Sequence, residues 1–219
     1  MMWKKGIKNL GRIVSGYVSF IDLAPSFLDL AEVDWDKKVM HPTPGKSLRP
    51  ILRNPEPDKP FREFFLVGKE RHDVGCPDDY GYPIRGIVRA GWLFLVNYRN
   101  DLWPAGNPRR GYTTVAGSPT KIEVLKSRYD TETSYLLELS FGNREKEDLY
   151  DLERDRDCIH NLADNQLYSD IKEKLIRTME AELKKESDPR MYGRGEIFHT
   201  YRFSDERWRS LYNRMVVNE

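Results

Sequence analysis

The sequence predicts an α+β protein, a small sheet of short strands backed by one long helix. Two observations carry this. Three strand-like runs follow one another between residues 63 and 98, two of them joined by a tight Ala90-Gly91 turn. Further on, Leu167, Ile171, Leu175, Met179 and Leu183 recur at steps of four, the apolar stripe of a helix over 167–185. Such a stripe must pack on something, and the sheet is the available partner.

The elements follow in order. Phe20, Leu23, Phe27 and Leu30 recur at three- and four-residue steps, so they share one helical face. Pro25 is tolerated only in a first turn, which sets the helix at 23–31 with Asp22 as its cap. Residues 41–60 hold Pro42, Pro44, Pro50, Pro55, Pro57 and Pro60 and read as a linker. The strands are predicted at Glu63–Lys69, Ile84–Arg89 and Trp92–Tyr98. In the second, Ile84 and Val88 alternate with Arg85, Ile87 and Arg89, an imperfect period. Residues 99–117, with Pro104 and Pro108, form a long loop. Ser118-Pro119 starts a helix, Ser as cap and Pro at the first helical position. Residues 134–142 fit helix and strand equally. Eleven of the fourteen residues from Arg144 to Asp157 are charged, and within them Leu149–Leu152 reads as a short edge strand shielded by charge. On the 167–185 helix, Asp170–Lys174, Glu173–Arg177 and Glu180–Lys184 are acid-before-base pairs of about 0.2–0.5 kcal/mol each.

Composition narrows the function. In 219 residues, 36 Lys and Arg against 35 Asp and Glu leave a net charge of +1, without the basic excess of a dedicated nucleic-acid or anionic-membrane binder. Mean hydropathy is −0.71, yet 12% aromatic residues argue against global disorder. No apolar run approaches the ~18 residues of a membrane span. Met1–Asn9 has the positive start of a signal peptide without an apolar stretch after it. Two cysteines, Cys76 and Cys158, leave one bridge open and decide neither compartment nor localisation.

The sequence has no G-x-S-x-G elbow, no H-E-x-x-H and no phosphate-binding glycine loop. Cys158 with His160, and Cys76 with Asp78 and Asp79, do not form a recognised metal spacing. Asp78-Asp79-Tyr80-Gly81 reads as a turn. One stretch concentrates polar function: Lys69-Glu70-Arg71-His72-Asp73, then Arg85 and Arg89. Arginine forks suit sulfate, phosphate or carboxylate, and His72 can donate or titrate near neutrality. At the rim of a sheet these residues could line an anionic-ligand site, or simply form a solvated loop.

Several short motifs, in order, resemble the sulfatase family. Val18–Ala31 is similar to the helix late in its catalytic domain, and Gly45-Lys46-Ser47-Leu48 to the G-x-S-L that follows. Leu149-Tyr150-Asp151-Leu152 and Asn161-Leu162-Ala163 resemble its C-terminal signature. Val67–Arg89 and Asp188–Phe198 look most like bacterial heparan N-sulfatase-like (sulfoglucosamine sulfohydrolase-like) members. The likeness runs over about residues 16–205. It implies a fold, the small four-stranded antiparallel sheet packed on a long C-terminal helix that follows the family's alkaline-phosphatase-like domain. Residues 1–40 would be a remnant of that domain, 41–60 a linker, 61–187 the C-terminal subdomain and 188–219 a tail.

The resemblance also implies what is missing. Sulfatases act through a formylglycine made from Cys or Ser in a C/S-x-P/A-x-R context, with a divalent cation, usually calcium. Neither Cys76-Pro77-Asp78-Asp79-Tyr80 nor Cys158-Ile159-His160-Asn161-Leu162 matches, and the family's Asp-Asp and Asp-Asn metal ligands belong to regions before residue 1. Relatives also tend to carry Gly where Glu32 ends the first helix. The expectation is therefore a sulfatase C-terminal portion with no cofactor of its own and no turnover alone. It would line the cleft with His72, Arg85, Arg89 and Lys69, and its partners would be a sulfated sugar or glycosaminoglycan and a separately encoded catalytic part. The alternatives are a non-catalytic module binding sulfated glycans, or a non-functional remnant whose helix face of Phe20, Leu23, Phe27 and Leu30 is exposed.

Overall fold

The computed structural model describes residues 11–35, 39–53, 60–110, 115 and 117–216. Met1–Asn9, Pro55, Pro57 and the last three residues, about which the sequence raised expectations, lie outside the described residues. The chain folds as two compact units, residues 1–66 and 67–219. Among the described residues no helix is long and apolar enough to cross a membrane.

In the first unit, helix α1 spans Leu23–Leu30 and is entered through a 3-10 turn at Phe20–Asp22. Helix α2 (Arg49–Arg53) packs against it. The burial of α1 follows its polar residues. Asp22 and Ser26 are fully buried, whereas Phe20 is 92% and Phe27 60% exposed. The reason lies in the G-x-S-L segment, whose backbone needs acceptors. Lys46 N–H donates to Asp22 and Leu48 N–H to the Ser26 hydroxyl, both at 2.8 Å, and the Ser47 hydroxyl donates to Asp29 at 2.5 Å. A Cβ on Gly45 would stand 2.2 Å from the Ile21 carbonyl oxygen, so the close approach requires glycine. Asp22 does not cap α1 with its side chain as predicted. Its carboxylate serves Ser19 N–H, Lys46 N–H and the fork of Arg62 instead. Burial opposes its charge, but these donors outweigh that and hold the carboxyl below the usual range.

Helix α1 ends in a Schellman motif. Val33 N–H reaches Leu28 C=O at 2.9 Å and Glu32 N–H reaches Asp29 C=O at 3.2 Å, with Glu32 left-handed at φ 58°. A non-glycine residue therefore holds the position that favours glycine.

The sheet has the order β1-β2-β3-β4, with β1 at Phe64–Lys69, β2 at Ile84–Arg89, β3 at Trp92–Asn97 and β4 at Glu147–Asp151. β2 and β3 pair antiparallel as a two-residue hairpin, Arg89 opposite Trp92, with Ala90 and Gly91 both at positive φ (49° and 79°). β4 pairs antiparallel with β3 and is an edge strand, as predicted. Asn161 closes part of that edge. Its carbonyl accepts from Leu149 N–H at 2.9 Å, and its amide donates to Glu147 C=O and Asp148. The two recognisable C-terminal motifs are thus physically stitched together.

Between β3 and β4 lie α3 (Pro119–Lys126) and α4 (Tyr135–Phe141). The Ser118 hydroxyl caps α3 by accepting from Lys121 N–H, and α4 resolves the ambiguous 134–142 run as helix. The long helix α5 (Ser169–Lys185) packs on β2 and β3 and buries Leu175, Met179 and Leu183. Leu167 departs from the predicted stripe. It sits in a 3-10 turn before α5, capped by the Asn165 side chain, and is 85% exposed. Glu173–Arg177 and Glu180–Lys184 form at 3.3 and 3.1 Å, while Asp170–Lys174 is not among the ion pairs of the described residues.

The aperiodic tail also folds into the second unit. Short helices α6 (Ile197–Thr200) and α7 (Leu211–Val216) follow a 3-10 turn at Pro189–Tyr192. α7 docks on the Pro77–Asp79 turn, where Asp78 and Asn213 exchange two hydrogen bonds and Asp79 accepts from Ser210 N–H. The positive φ of Asp78 and Asp79 (53° and 56°) is that of the predicted turn. Both thiols are free.

Candidate functional site

β1 and β2 place Lys69 and Arg85 at one end of the sheet, where the Arg85 guanidinium donates to the Lys69 carbonyl at 3.2 Å. The loop after β1 begins with Glu70, whose carboxylate meets Arg85 at this corner, and continues through Arg71 and His72. A backbone-to-backbone approach holds that loop: a Cβ on Gly81 would lie 2.5 Å from Glu70 C=O.

Arg85 is nearly buried, and its donors are engaged. Nε reaches Asp188 and one Nη reaches Glu70, each at 2.6 Å, and the other Nη serves the Ile84 and Lys69 carbonyls. Glu70 also receives Arg190 as a bidentate fork at 2.7 and 2.6 Å. Phe198 lies under both guanidiniums and Tyr98 under Arg190. Two cations and two carboxylates thus neutralise one another and tie the start of the tail to the sheet. Arg85 therefore acts on the surroundings through Glu70 rather than by reaching outward. This also accounts for the imperfect period of β2: Arg85, Ile87 and Arg89 all project toward the α5 side, the first ion-paired to Asp188 just beyond the helix and the last bonded to Thr178 on it.

Lys69 is half-buried. Its ammonium donates to Pro104 C=O at 3.4 Å and stands over the Tyr82 ring, and burial lowers its pKa. Beneath it Cys76, Tyr82 and Leu102 form a small core. Burial pushes the Cys76 thiol up and the Tyr82 phenol to about 12, and the Tyr82 hydroxyl has no hydrogen-bond partner among the described residues. A buried, protonated thiol is a poor nucleophile. His72 is exposed in the loop after β1.

Arg71, which the sequence places in the polar stretch but not among the cleft residues, fastens this loop. It donates to Asp79 C=O and Tyr201 C=O and stacks on Phe203. His199 meets Tyr80 edge-on at 4.5 Å, with Arg99 over the same Tyr80 ring. No spacing signal links residues 71 and 201, because the contact is made only when the tail folds back.

The fourth predicted residue stands apart. Arg89 lies four residues along β2 from Arg85, about 13 Å at ~3.3 Å per residue. It faces α5, donating to the Thr178 hydroxyl at 3.0 Å. The structure therefore brings Lys69 and Arg85 to one corner, leaves His72 exposed three residues beyond Lys69, and puts Arg89 at the other end of the strand.

Among the described residues no group of three or more His, Cys, Asp or Glu side chains is placed to hold a metal ion. The described residues thus supply no ligand set of the kind the resemblance implies for calcium, and both cysteines stand outside the C/S-x-P/A-x-R context. What the corner can do is present cationic and hydrogen-bonding groups on a fixed frame.

No family model matches the chain, and no curated protein matches it. Solved structures do match. One is BT4656 in complex with its substrate D-glucosamine-2-N,6-O-disulfate, at 18% identity over 77% of this chain and 24% of that one, TM-score 0.46. Another is a protein from Bacteroides thetaiotaomicron designated a sulfatase, at 18% identity over 86% of this chain and 28% of that one, TM-score 0.47. A third, BT1596, a 2-O GAG sulfatase, has the same identity, coverage and TM-score. The chain spans about a quarter of the length of these proteins.

Proposed function

We propose that the chain is the C-terminal portion of a heparan N-sulfatase-like sulfatase, supplying scaffold and one wall of the cleft for a sulfated sugar. One observation carries this reading. The residues that resemble the family's motifs are the ones that hold the elements together: Gly45–Leu48 bound to α1, and Asn161 bound to β4. The four-stranded sheet on α5 has the architecture the resemblance implies.

In this reading His72 and Lys69 meet the anionic group of the sugar, and Arg85 is a positioning residue that acts through Glu70. The loop is held by backbone contact at Gly81 and by Arg71, so binding requires little reordering. Formylglycine and calcium chemistry belongs to a catalytic part outside these residues, whether preceding or separately encoded. The purified chain, supplied with calcium and either N-sulfated glucosamine or an aryl sulfate, is expected to release no sulfate above a blank. Calcium-dependent sulfate release by this chain alone would overturn the assignment of the chemistry to another part.

A further inference from the structure

The loop after β3 and helix α4 enclose a cavity of 520 Å3. Its volume lies within the range of small-ligand sites, roughly 300–1,000 Å3. The floor is apolar: Phe141 is 3% exposed, Pro108 is buried, and Trp103 and Leu137 are partly buried. The two walls carry opposite charge. On one, a 3-10 turn at Pro108–Arg110 presents Arg109, and the Asn107 side chain fixes that turn by accepting from Arg109 N–H at 2.9 Å. Arg128 is spent on the frame of this wall, donating to Leu125 C=O at 2.8 Å and to Pro108 C=O at 3.2 Å. On the other wall, α4 presents Glu138. Its carboxylate lies over Gly142, where a Cβ would stand 2.7 Å from Oε2, so the absence of a side chain there sets its position. Arg109 and Glu138 are both exposed, and among the described residues neither side chain has an ion pair or a hydrogen bond, with the other or with any third group. A free guanidinium and a free carboxylate thus line one apolar-floored cavity without neutralising each other.

We infer that this cavity is a binding site for a free amino acid with an aromatic side chain. The ligand class follows from the three kinds of group that line it. The planar fork of Arg109 matches a carboxylate. Glu138 accepts from an ammonium group, as no anionic ligand could use it. The Trp103 and Phe141 rings receive an aromatic ring edge-on or offset. A zwitterion with an apolar ring answers all three at once. A sulfate or phosphate ester would be repelled by Glu138, and a simple amine would leave Arg109 unanswered. The inference does not depend on the function proposed above, because it uses none of Lys69, Arg71, His72 or Arg85.

The test is titration of the full chain with L-phenylalanine, with phenylpropionate, which lacks the ammonium, and with phenethylamine, which lacks the carboxylate, followed by NMR and calorimetry. Trp103→Phe assigns the Trp103 indole signal. The expected result is saturable binding of L-phenylalanine that moves the Trp103 indole and the Leu137–Gly142 amides. Each analogue should bind about tenfold more weakly, the loss expected for one charge-assisted hydrogen bond. Arg109→Gln should weaken L-phenylalanine about tenfold and leave phenethylamine unchanged. Glu138→Gln should weaken L-phenylalanine by a similar factor and leave phenylpropionate unchanged. Both side chains are exposed and outside any bond, and a crossed pattern of this kind cannot arise from lost folding. No saturable binding, equal binding of glycine or of either analogue, or variants that weaken all three ligands alike overturns the inference. Shifts confined to the Lys69–Val74 loop also overturn it, while leaving the proposed function standing.

Discussion

Replacing Glu70 by Gln removes one anion from a nearly buried cluster of two guanidiniums and two carboxylates, leaving it with an uncompensated positive charge. Glu70 accepts from Arg85 at 2.6 Å and from Arg190 at 2.7 and 2.6 Å. After the change Arg85 keeps Asp188, but Arg190 has no other acidic partner among the described residues. The Arg85 and Arg190 side chains are only 8% exposed, so water does little to solvate the orphaned charge. Breaking a buried pair in this way costs about 3–5 kcal/mol, and the 20% exposure of Glu70 places this case at the lower end. With a urea slope of about 2 kcal/mol/M, a loss of about 3 kcal/mol lowers the unfolding midpoint by about 1.5 M. The assay is equilibrium urea unfolding followed by far-UV circular dichroism. Adding Arg190→Met to the Glu70→Gln variant should recover part of the loss, because it removes the orphan, with a coupling of about 1–3 kcal/mol. A midpoint shift below about 0.3 M, or strictly additive effects, would refute the claim that the cluster ties the tail to the sheet.

Three further outcomes follow from the same geometry. Gly81→Ala forces a Cβ to 2.5 Å from the Glu70 carbonyl, where only backbone can yield. A loss of about 1–3 kcal/mol and displaced amide resonances from Lys69 to Val74 are expected, and an unperturbed loop would contradict the packing. Glu32→Gly relieves a left-handed residue whose side chain is 82% exposed. The net gain is about 0.5–1 kcal/mol after glycine's entropy is subtracted, and a lower melting temperature would count against the Schellman assignment. Asp22 has a folded-state pKa below its unfolded value, so its contribution is present above about pH 4 and is lost as pH falls through the folded pKa. Hydrogen exchange at the Lys46 amide should accelerate over that window in the native chain and lose this pH dependence in Asp22→Asn; flat protection between about pH 2 and 5 would sink the reading.

Much of the fold was legible because local signals and packing agree. The Ala90-Gly91 turn needs positive φ at both positions, and the stripe from Ile171 to Leu183 needs only a partner of matching length. The misread positions share a cause, a polar group answered from elsewhere in the chain. Periodicity put Phe20 and Phe27 on one face of the first helix but could not show that Asp22 and Ser26 are the buried side, because their partners lie some twenty residues on. Leu167 fitted the step of four, yet the Asn165 side chain caps a 3-10 turn there.

The site was legible as a cluster of residue types but not as an arrangement. Lys69 and Arg85 share one corner, and His72 lies exposed in the loop that follows. Arg85 is neutralised by Asp188, 103 positions away, a pairing no window of sequence reveals. The same strand period that separates side chains by face carries Arg89 to the other end. Arg71 was visible in the polar stretch but without a role, because its value lies in a contact with residue 201, made by a tail that shows no periodic signal of its own.

The account depends on the loop after β1 being a preformed wall for a sulfated sugar. Two-dimensional NMR of the labelled chain titrated with N-sulfated, 6-sulfated glucosamine tests it most directly. Saturable shifts at the His72 ring and the Lys69–Val74 amides are predicted, absent with unsulfated glucosamine and lost in His72→Ala. Shifts that spare this loop, or that are equal for the unsulfated sugar, would contradict it.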